Sequence, residues 1–433
     1  MRAGLAPATP AVEAAFQHFW DARSPGDAAK AARDVLQSGV TFEDAYRKLK
    51  RGRAYAGQPK RDVVHLLRRT SLGDFNYDVY LPDNYDPTRS YQLRFQLHGG
   101  VMREQPTSDS TAAPSGRGGR RSASPLPGDE QIYVMPSAWR EAPWWSSAQL
   151  ENLDYEIDSL KRAYNIDENR IVLSGVSDGA TGAYYVAMRD TTPFASFLPL
   201  NGSLAVLAND RIDVGGELFP TNLLNKPLFV VNGGNDPLYP ARGIAPYVEH
   251  LKRSGVVLDY HPQPEAGHNT AWWPDVRETF ERFVREHPRD PLPRRITWEV
   301  TDRQLPGRAH WLVIDRLQPS GSMPRLQPDV NVFSGEGPNQ GRFLFARRQP
   351  SGRVDLERTG NTVRVRSGGV SDFTLLLSPD AFDFASPVVV VVNGRTALEQ
   401  RVEASLATLL KWAARDNDRT MLFGAELHVS VTP

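Results

Sequence analysis

Five consecutive residues, Gly175-Val176-Ser177-Asp178-Gly179, have the spacing of a strand-to-helix turn that holds a serine hydroxyl out for nucleophilic attack. Such a turn strains the serine and brings the flanking backbones so close that glycine is needed on either side. The surroundings agree. Ile171-Val172-Leu173-Ser174 reads as a buried strand, and Gly182 to Arg189 is compatible with a helix. A bare G-x-S-x-G also occurs in ordinary glycine-rich turns, so the chemistry depends on what accompanies it.

Three companions fall at the places a serine nucleophile needs them. Upstream, Arg94-Phe95-Gln96-Leu97 runs into His98-Gly99-Gly100, a turn able to offer a backbone N–H to a carbonyl oxygen. The expected oxyanion donors are the backbones of Gly100 and Asp178, while the His98 side chain is read as structural. Downstream, Pro227-Leu228-Phe229-Val230-Val231 opens into Asn232-Gly233-Gly234-Asn235-Asp236-Pro237, which puts Asp236 at the end of a sheet strand. Alone, an Asp before Pro is equally a turn former. Beyond the next strand, Gly267-His268-Asn269 places a base on a loop, and of nine histidines only His268 falls after both Ser177 and Asp236 at such a point. The expected catalytic set is therefore Ser177, Asp236 and His268, acting through an acyl-enzyme. Five of the nine tryptophans (Trp139, Trp144, Trp145, Trp272 and Trp273) lie on neighbouring loops. Trp144, Trp145, Trp272 and Trp273 are expected to wall the cleft, as suits sugars or aromatic acyl groups.

These residues need a parallel sheet to position them. From about residue 62 to 290, short apolar strands (93–97, 132–135, 171–174, 198–200, 228–231 and 258–261) alternate with helical stretches such as 150–163 and 241–252, which predicts an α/β fold, mostly parallel, with helices on both faces. Residues 1–61 read as a helical prefix packed on that domain, with Thr41 and Asp44 at a helix start. Residues 103–129, rich in Ser, Pro, Gly and Arg, read as a surface insertion with little to bury. After the prolines at 291–293, period-two strands, the turn Asn393-Gly394 and one helix at 404–415 predict a β-sandwich-like domain over 295–433.

Composition bounds the rest. Lys+Arg and Asp+Glu both total 51, so no net positive field favours nucleic acid or an anionic membrane. Without cysteine there is no disulfide, thiolate metal site or thiol nucleophile, and no metal or cofactor motif is read. No apolar run approaches a bilayer span, and the start at Met1-Arg2-Ala3-Gly4-Leu5-Ala6 lacks an apolar signal core, so a soluble protein is expected, with its compartment open.

Taken together, Leu97-His98-Gly99-Gly100, Gly175-Val176-Ser177-Asp178-Gly179, Gly234-Asn235-Asp236-Pro237-Leu238-Tyr239-Pro240 and Gly267-His268-Asn269 resemble the esterase and prolyl-oligopeptidase-like branch of the α/β-hydrolases, which includes polyhydroxybutyrate-depolymerase-like and feruloyl-esterase-like enzymes. The resemblance covers roughly residues 62–290 and implies a serine carboxylic-ester hydrolase acting on feruloyl or acetyl sugar esters or polyesters. Its departures are Ala180, in a place often held by glycine, the 103–129 insertion, and the absence of a preceding β-propeller. A serine peptidase and a non-catalytic binding protein on the same fold are the alternatives. The expected partner is a small-molecule or polymeric ester, with the C-terminal domain as the segment through which copies would associate.

Overall fold

Thr9, Ser24 and Thr41 each accept a hydrogen bond from the backbone N–H three residues on, and so start α1 (Pro10–Asp21), α2 (Pro25–Gln37) and α3 (Phe42–Arg51). The structure is a computed structural model and describes residues 9–57, 63–105, 125–209, 212, 216–319, 325–334 and 338–431. Most of the expected 103–129 insertion, residues 106–124, lies outside the described residues.

The apolar stripe of the three helices, including Phe16, Phe19, Val35 and Leu49, closes on Leu409, Leu410, Ala413 and Ala414 of the helix α8 (Leu406–Asp416). This amends the expectation that the prefix packs on the adjoining domain, because its hydrophobic partner comes from near the C-terminus. Contact with the adjoining segment is polar: Arg162 Nη1 donates to the Ala22 carbonyl at 2.9 Å, and the Tyr55 hydroxyl donates to the Lys161 carbonyl at 3.1 Å.

Strands β1 (Val64–Thr70), β2 (Gly73–Tyr80), β3 (Tyr91–Leu97), β4 (Ile132–Pro136), β5 (Ile166–Val176), β6 (Ser196–Leu200), β7 (Leu228–Gly233) and β8 (Leu258–Gln263) form one eight-stranded sheet in the order β1-β2-β4-β3-β5-β6-β7-β8. The pairs β1/β2 and β2/β4 are antiparallel, whereas every pair from β4 through β8 is parallel. Continuous apolar runs such as Leu228-Phe229-Val230-Val231 bury both faces, the pattern of a parallel sheet sandwiched between helices. Leu228 and Val230 pack with residues of α4 (Ser147–Ala163), α5 (Asp178–Arg189) and α6 (Ala241–Arg253), and Phe229 and Val231 face α7 (Trp273–Glu286). On that second face the buried pair Arg94–Glu281, with Nη2 at 2.6 and 2.7 Å from the two carboxylate oxygens, ties α7 to β3.

The C-terminal part has two further sheets. One runs β10 (Gly307–Ala309), β11 (Leu312–Leu317), β14 (Val370–Leu377) and β17 (Ala425–Ser430), and the other runs β16 (Arg395–Gln400), β15 (Val388–Val392), β13 (Thr362–Gly368), β12 (Ser351–Thr359) and β9 (Arg295–Thr301). Their inward residues, among them Trp298, Val354 and Val390 from one and Ile314, Phe373 and Leu427 from the other, share a single core. Asn393 and Gly394 both have positive φ (51° and 84°), as the tight hairpin joining β15 to β16 requires. Among the described residues no helix is long and apolar enough to cross a membrane.

Candidate active site

β5 ends at Val176 and α5 begins at Asp178, leaving Ser177 alone between them at φ 59°, ψ −117°. A non-glycine residue is held there only when its surroundings over-determine the conformation. Ser177 N–H donates to the Leu200 carbonyl on β6 at 3.0 Å, while its own carbonyl accepts from Ala180 and Thr181 at 2.9 and 3.2 Å. The two motif glycines are required by space. A Cβ on Gly175 would run into the Gly179 carbonyl, and one on Gly179 into the Leu97 carbonyl at the end of β3. Ala180 is accommodated by a gap opposite it, since a Cβ on Gly202 would collide with the Ala180 methyl.

The three expected catalytic side chains meet. His268 Nε2 lies 2.9 Å from Ser177 Oγ, and His268 Nδ1 lies 2.8 Å from Asp236 Oδ2. Asp236 is 2% exposed, and its second oxygen accepts from the backbone N–H groups of Leu238 and Tyr239 at 2.8 and 2.9 Å. Burial alone would raise its pKa. The Tyr239 N–H, the His268 hydrogen bond, the Leu238 N–H and the His268 charge outweigh burial and hold the carboxyl below its ordinary value. The loops carrying acid and base are joined directly, with Asn235 N–H donating to the Ala266 carbonyl at 2.9 Å. Asn201, in the left-handed region at φ 50°, pins the other side of the histidine loop by donating Nδ2–H to the Asn269 carbonyl at 2.7 Å. The Tyr239 ring is tilted against His268 with centroids 5.8 Å apart.

The turn after β3 packs on the nucleophile. A Cβ on Gly99 would lie 2.9 Å from Ser177 Cβ, and Gly100 has a positive φ of 69°. Asp178 N–H belongs to the first turn of α5, where helical geometry gives it no intrahelical partner. The Asp178 carboxylate contributes something sequence reasoning missed: Oδ2 accepts the N–H of Val101 at 2.9 Å and so fastens the glycine turn to the helix. His98 is structural as expected. Nε2 accepts from Ala138 N–H at 3.2 Å, which leaves Nδ1–H facing the Gly99 carbonyl at 2.9 Å.

The expected tryptophan wall needs correction. Trp144 is 1% exposed, packs edge-on to His98 and donates Nε1–H to the His98 carbonyl at 2.8 Å. Trp273 is 5% exposed and donates to the Pro127 carbonyl, and Trp272 lies buried in the same cluster beneath α7. Their faces are covered by protein, so they brace loops and leave only Trp145, which is half-buried, with surface to offer. Concavity is no guide either. A cleft of about 600 Å³ lined by Tyr80, Asp83, Pro127 and Tyr133 lies near the start of β4, at the end of the sheet away from the three side chains. Among the described residues no cluster of three or more His, Asp or Glu could hold a metal ion.

An antiparallel pair at one edge, then parallel strands in the order β4-β3-β5-β6-β7-β8, with the strained serine after β5, the acid after β7 and the histidine after β8, decides the architecture. The fold is that of an α/β-hydrolase. No protein-family model matches the chain, and no curated protein matches it by sequence. Among solved structures, the chain is similar to a thermostable esterase, at 20% identity over 53% of this chain and 63% of that one, with a TM-score of 0.39. It thus spans less than two thirds of that structure's length. It is also similar to esterase 2 of Thermogutta terrifontis (14% identity, 53% and 96% covered, TM-score 0.41) and to a ferulic acid esterase (17% identity, 51% and 96% covered, TM-score 0.36).

Proposed function

We propose that this protein is a serine carboxylic-ester hydrolase, with Ser177 as nucleophile, His268 as general base and acid, and Asp236 as the group that orients the imidazole. The observation that carries the reading is the unbroken hydrogen-bonded line from Ser177 Oγ through His268 to Asp236, with the serine in a strained backbone conformation at the start of α5 and packed against the Gly99-Gly100 turn.

In this reading His268 Nε2 takes the Ser177 proton as Oγ attacks the ester carbonyl carbon. Negative charge then develops on the carbonyl oxygen, between the N–H groups of Gly100 and Asp178. Each such donor typically lowers the barrier by about 3 kcal/mol. The imidazolium formed is stabilised by Asp236, whose depressed pKa keeps it ionised. His268 passes the proton to the departing alcohol. Water then repeats the sequence on the acyl-enzyme, releasing the acid and restoring Ser177.

The substrates proposed are feruloyl or acetyl esters of sugars, or polyesters. A panel of p-nitrophenyl esters, methyl ferulate, acetylated xylan, a polyester and aminoacyl-anilides tests the assignment. Turnover of one or more esters with negligible anilide cleavage supports it. Preferential cleavage of anilides replaces it with a peptidase.

A further inference from the structure

Arg103 stands immediately beyond the glycine turn, and its guanidinium lies broadside over Gly100. Nη2, Cζ and Nε are 3.3, 3.5 and 3.6 Å from the point a Gly100 Cβ would occupy. The neighbouring Gly99 is equally close to the nucleophile, its own Cβ point lying 3.4 Å from Ser177 Oγ. Consecutive Cα atoms are about 3.8 Å apart, so the residue this cation covers is the immediate neighbour of the one that packs on the serine.

The placement is anchored rather than incidental to a free loop. Val101 N–H is held by Asp178 Oδ2 at 2.9 Å, the Arg103 carbonyl accepts from Arg140 N–H at 2.8 Å, and Gln105 Nε2 donates to the Asp74 carbonyl at 3.1 Å. Three successive ties therefore bracket one side chain. Among the described residues the Arg103 guanidinium has no ion pair or side-chain hydrogen bond, and the same holds for Arg140 on the adjoining loop. Glu104 and Glu141, each next along its loop, are exposed and pair with neither arginine. Asp178, whose carboxylate is tied to the turn, is engaged by the Val101 backbone N–H. Exposed Met102 and Leu238 (61% and 62%) add apolar surface on the segments bearing Arg103 and following Asp236.

An arginine with a planar donor fork and no ion-pair partner among the described residues, carried on a tied backbone beside the glycine turn, is suited to a carboxylate. We infer that Arg103 is a specificity-determining residue that selects esters carrying a carboxylate on the part of the substrate nearest the Gly99-Gly100 turn. The inference rests on the esterase reading above and deepens it.

The test compares p-nitrophenyl hydrogen glutarate with p-nitrophenyl butyrate, which share the reacting bond and differ in terminal charge. The ratio of their kcat/KM values is measured for the wild type, R103A and R103E, at low and high NaCl. The wild type should favour the glutarate hemi-ester at least fivefold, with the preference shrinking as salt rises. R103A should abolish the preference and bring the ratio to about one, and R103E should bring it below one. An unchanged ratio in both variants overturns the inference. So does an equal loss for both esters, which would mean that the guanidinium acts on the developing oxyanion and not on substrate charge. Fluorophosphonate labelling of Ser177 is run alongside. A labelled enzyme with an unaltered ratio removes the role of Arg103 alone, whereas an unlabelled wild type removes the esterase reading beneath it.

Discussion

Asp178 Oδ2 and Val101 N–H lie 2.9 Å apart, and this one hydrogen bond joins the residue after the nucleophile to the residue after Gly100. Both expected oxyanion donors are thereby fixed in a single rigid unit. Removing the acceptor in D178A should free the turn and lower kcat by about 10- to 100-fold, the range set by losing a charge-assisted hydrogen bond of roughly 1.5–3 kcal/mol. KM should change little. D178N, which keeps an accepting oxygen, should stay within a few fold of wild type. Steady-state kinetics on a p-nitrophenyl ester checks both, and equal losses in the two variants would contradict the tether.

Close packing at the elbow makes a second expectation. A methyl on Gly179 has the Leu97 carbonyl in its way, a backbone atom of a central strand that has little freedom to move. G179A should cost about 2–4 kcal/mol, read as a lower denaturation midpoint. Ala180 and Gly202 face each other, so A180G should partly rescue G202A. The rescue is partial because a Gly202 Cβ would also lie 3.0 Å from the Ser177 carbonyl oxygen. A double-mutant cycle should show coupling of about 1 kcal/mol; additivity would mean that the two sites do not share the gap.

Glu156 on α4 is fully buried, with Asn152 Nδ2 donating to Oε1 at 2.7 Å. Burial is the main cause of its pKa rising from 4.5 to about 8, against the smaller lowering effects of Asn152 and Arg68. The folded protein therefore holds a proton there that the unfolded chain releases near its ordinary value. The stability this provides is complete below about pH 4.5, declines as pH rises toward 8 and is lost above it. The slope from this group is at most about 1.4 kcal/mol per pH unit. E156Q should flatten that decline, so that its stability relative to wild type improves between pH 5 and 8. Chemical denaturation at several pH values measures it, and parallel curves for the two proteins would refute the assignment.

The tryptophans should divide by burial. W273A removes a ring that packs edge-to-face on Phe280 and donates to the Pro127 carbonyl, and should cost about 3–5 kcal/mol of stability. W145A should leave the thermal midpoint within a few degrees of wild type and raise KM for bulky aryl esters several fold. Thermal melts and kinetics on methyl ferulate separate the two, and a KM unaffected by W145A would remove the last of the expected aromatic wall.

Much of this was readable in the sequence, and particular residues explain where it was not. The strand–helix alternation and the order Ser177, Asp236, His268 placed the three side chains, because in a parallel sheet chain order maps onto strand ends. The Asp178–Val101 bond spans 77 residues and has no local pattern to announce it. Nor does a tryptophan's place on a loop near the site say whether its ring points outward, which is why Trp144, Trp272 and Trp273 were misread. The partner of the first three helices lies some hundreds of residues along the chain in α8, beyond the reach of periodicity. Strand β12 carries little period-two signal because Arg353 and Asp355 pair with one another inside the protein, with Nε–Oδ1 at 2.7 Å, and so blur the alternation.

The central claim is that Ser177 is an activated nucleophile, and covalent capture tests it most directly. The protein is treated with a fluorophosphonate, and the adduct is located by peptide mass spectrometry in wild type, S177A and D236N. The account predicts one adduct per chain on Ser177, none in S177A, and labelling slowed by orders of magnitude in D236N, where the imidazole loses the carboxylate that orients it. A wild type that remains unmodified, or an adduct that persists in S177A, contradicts it.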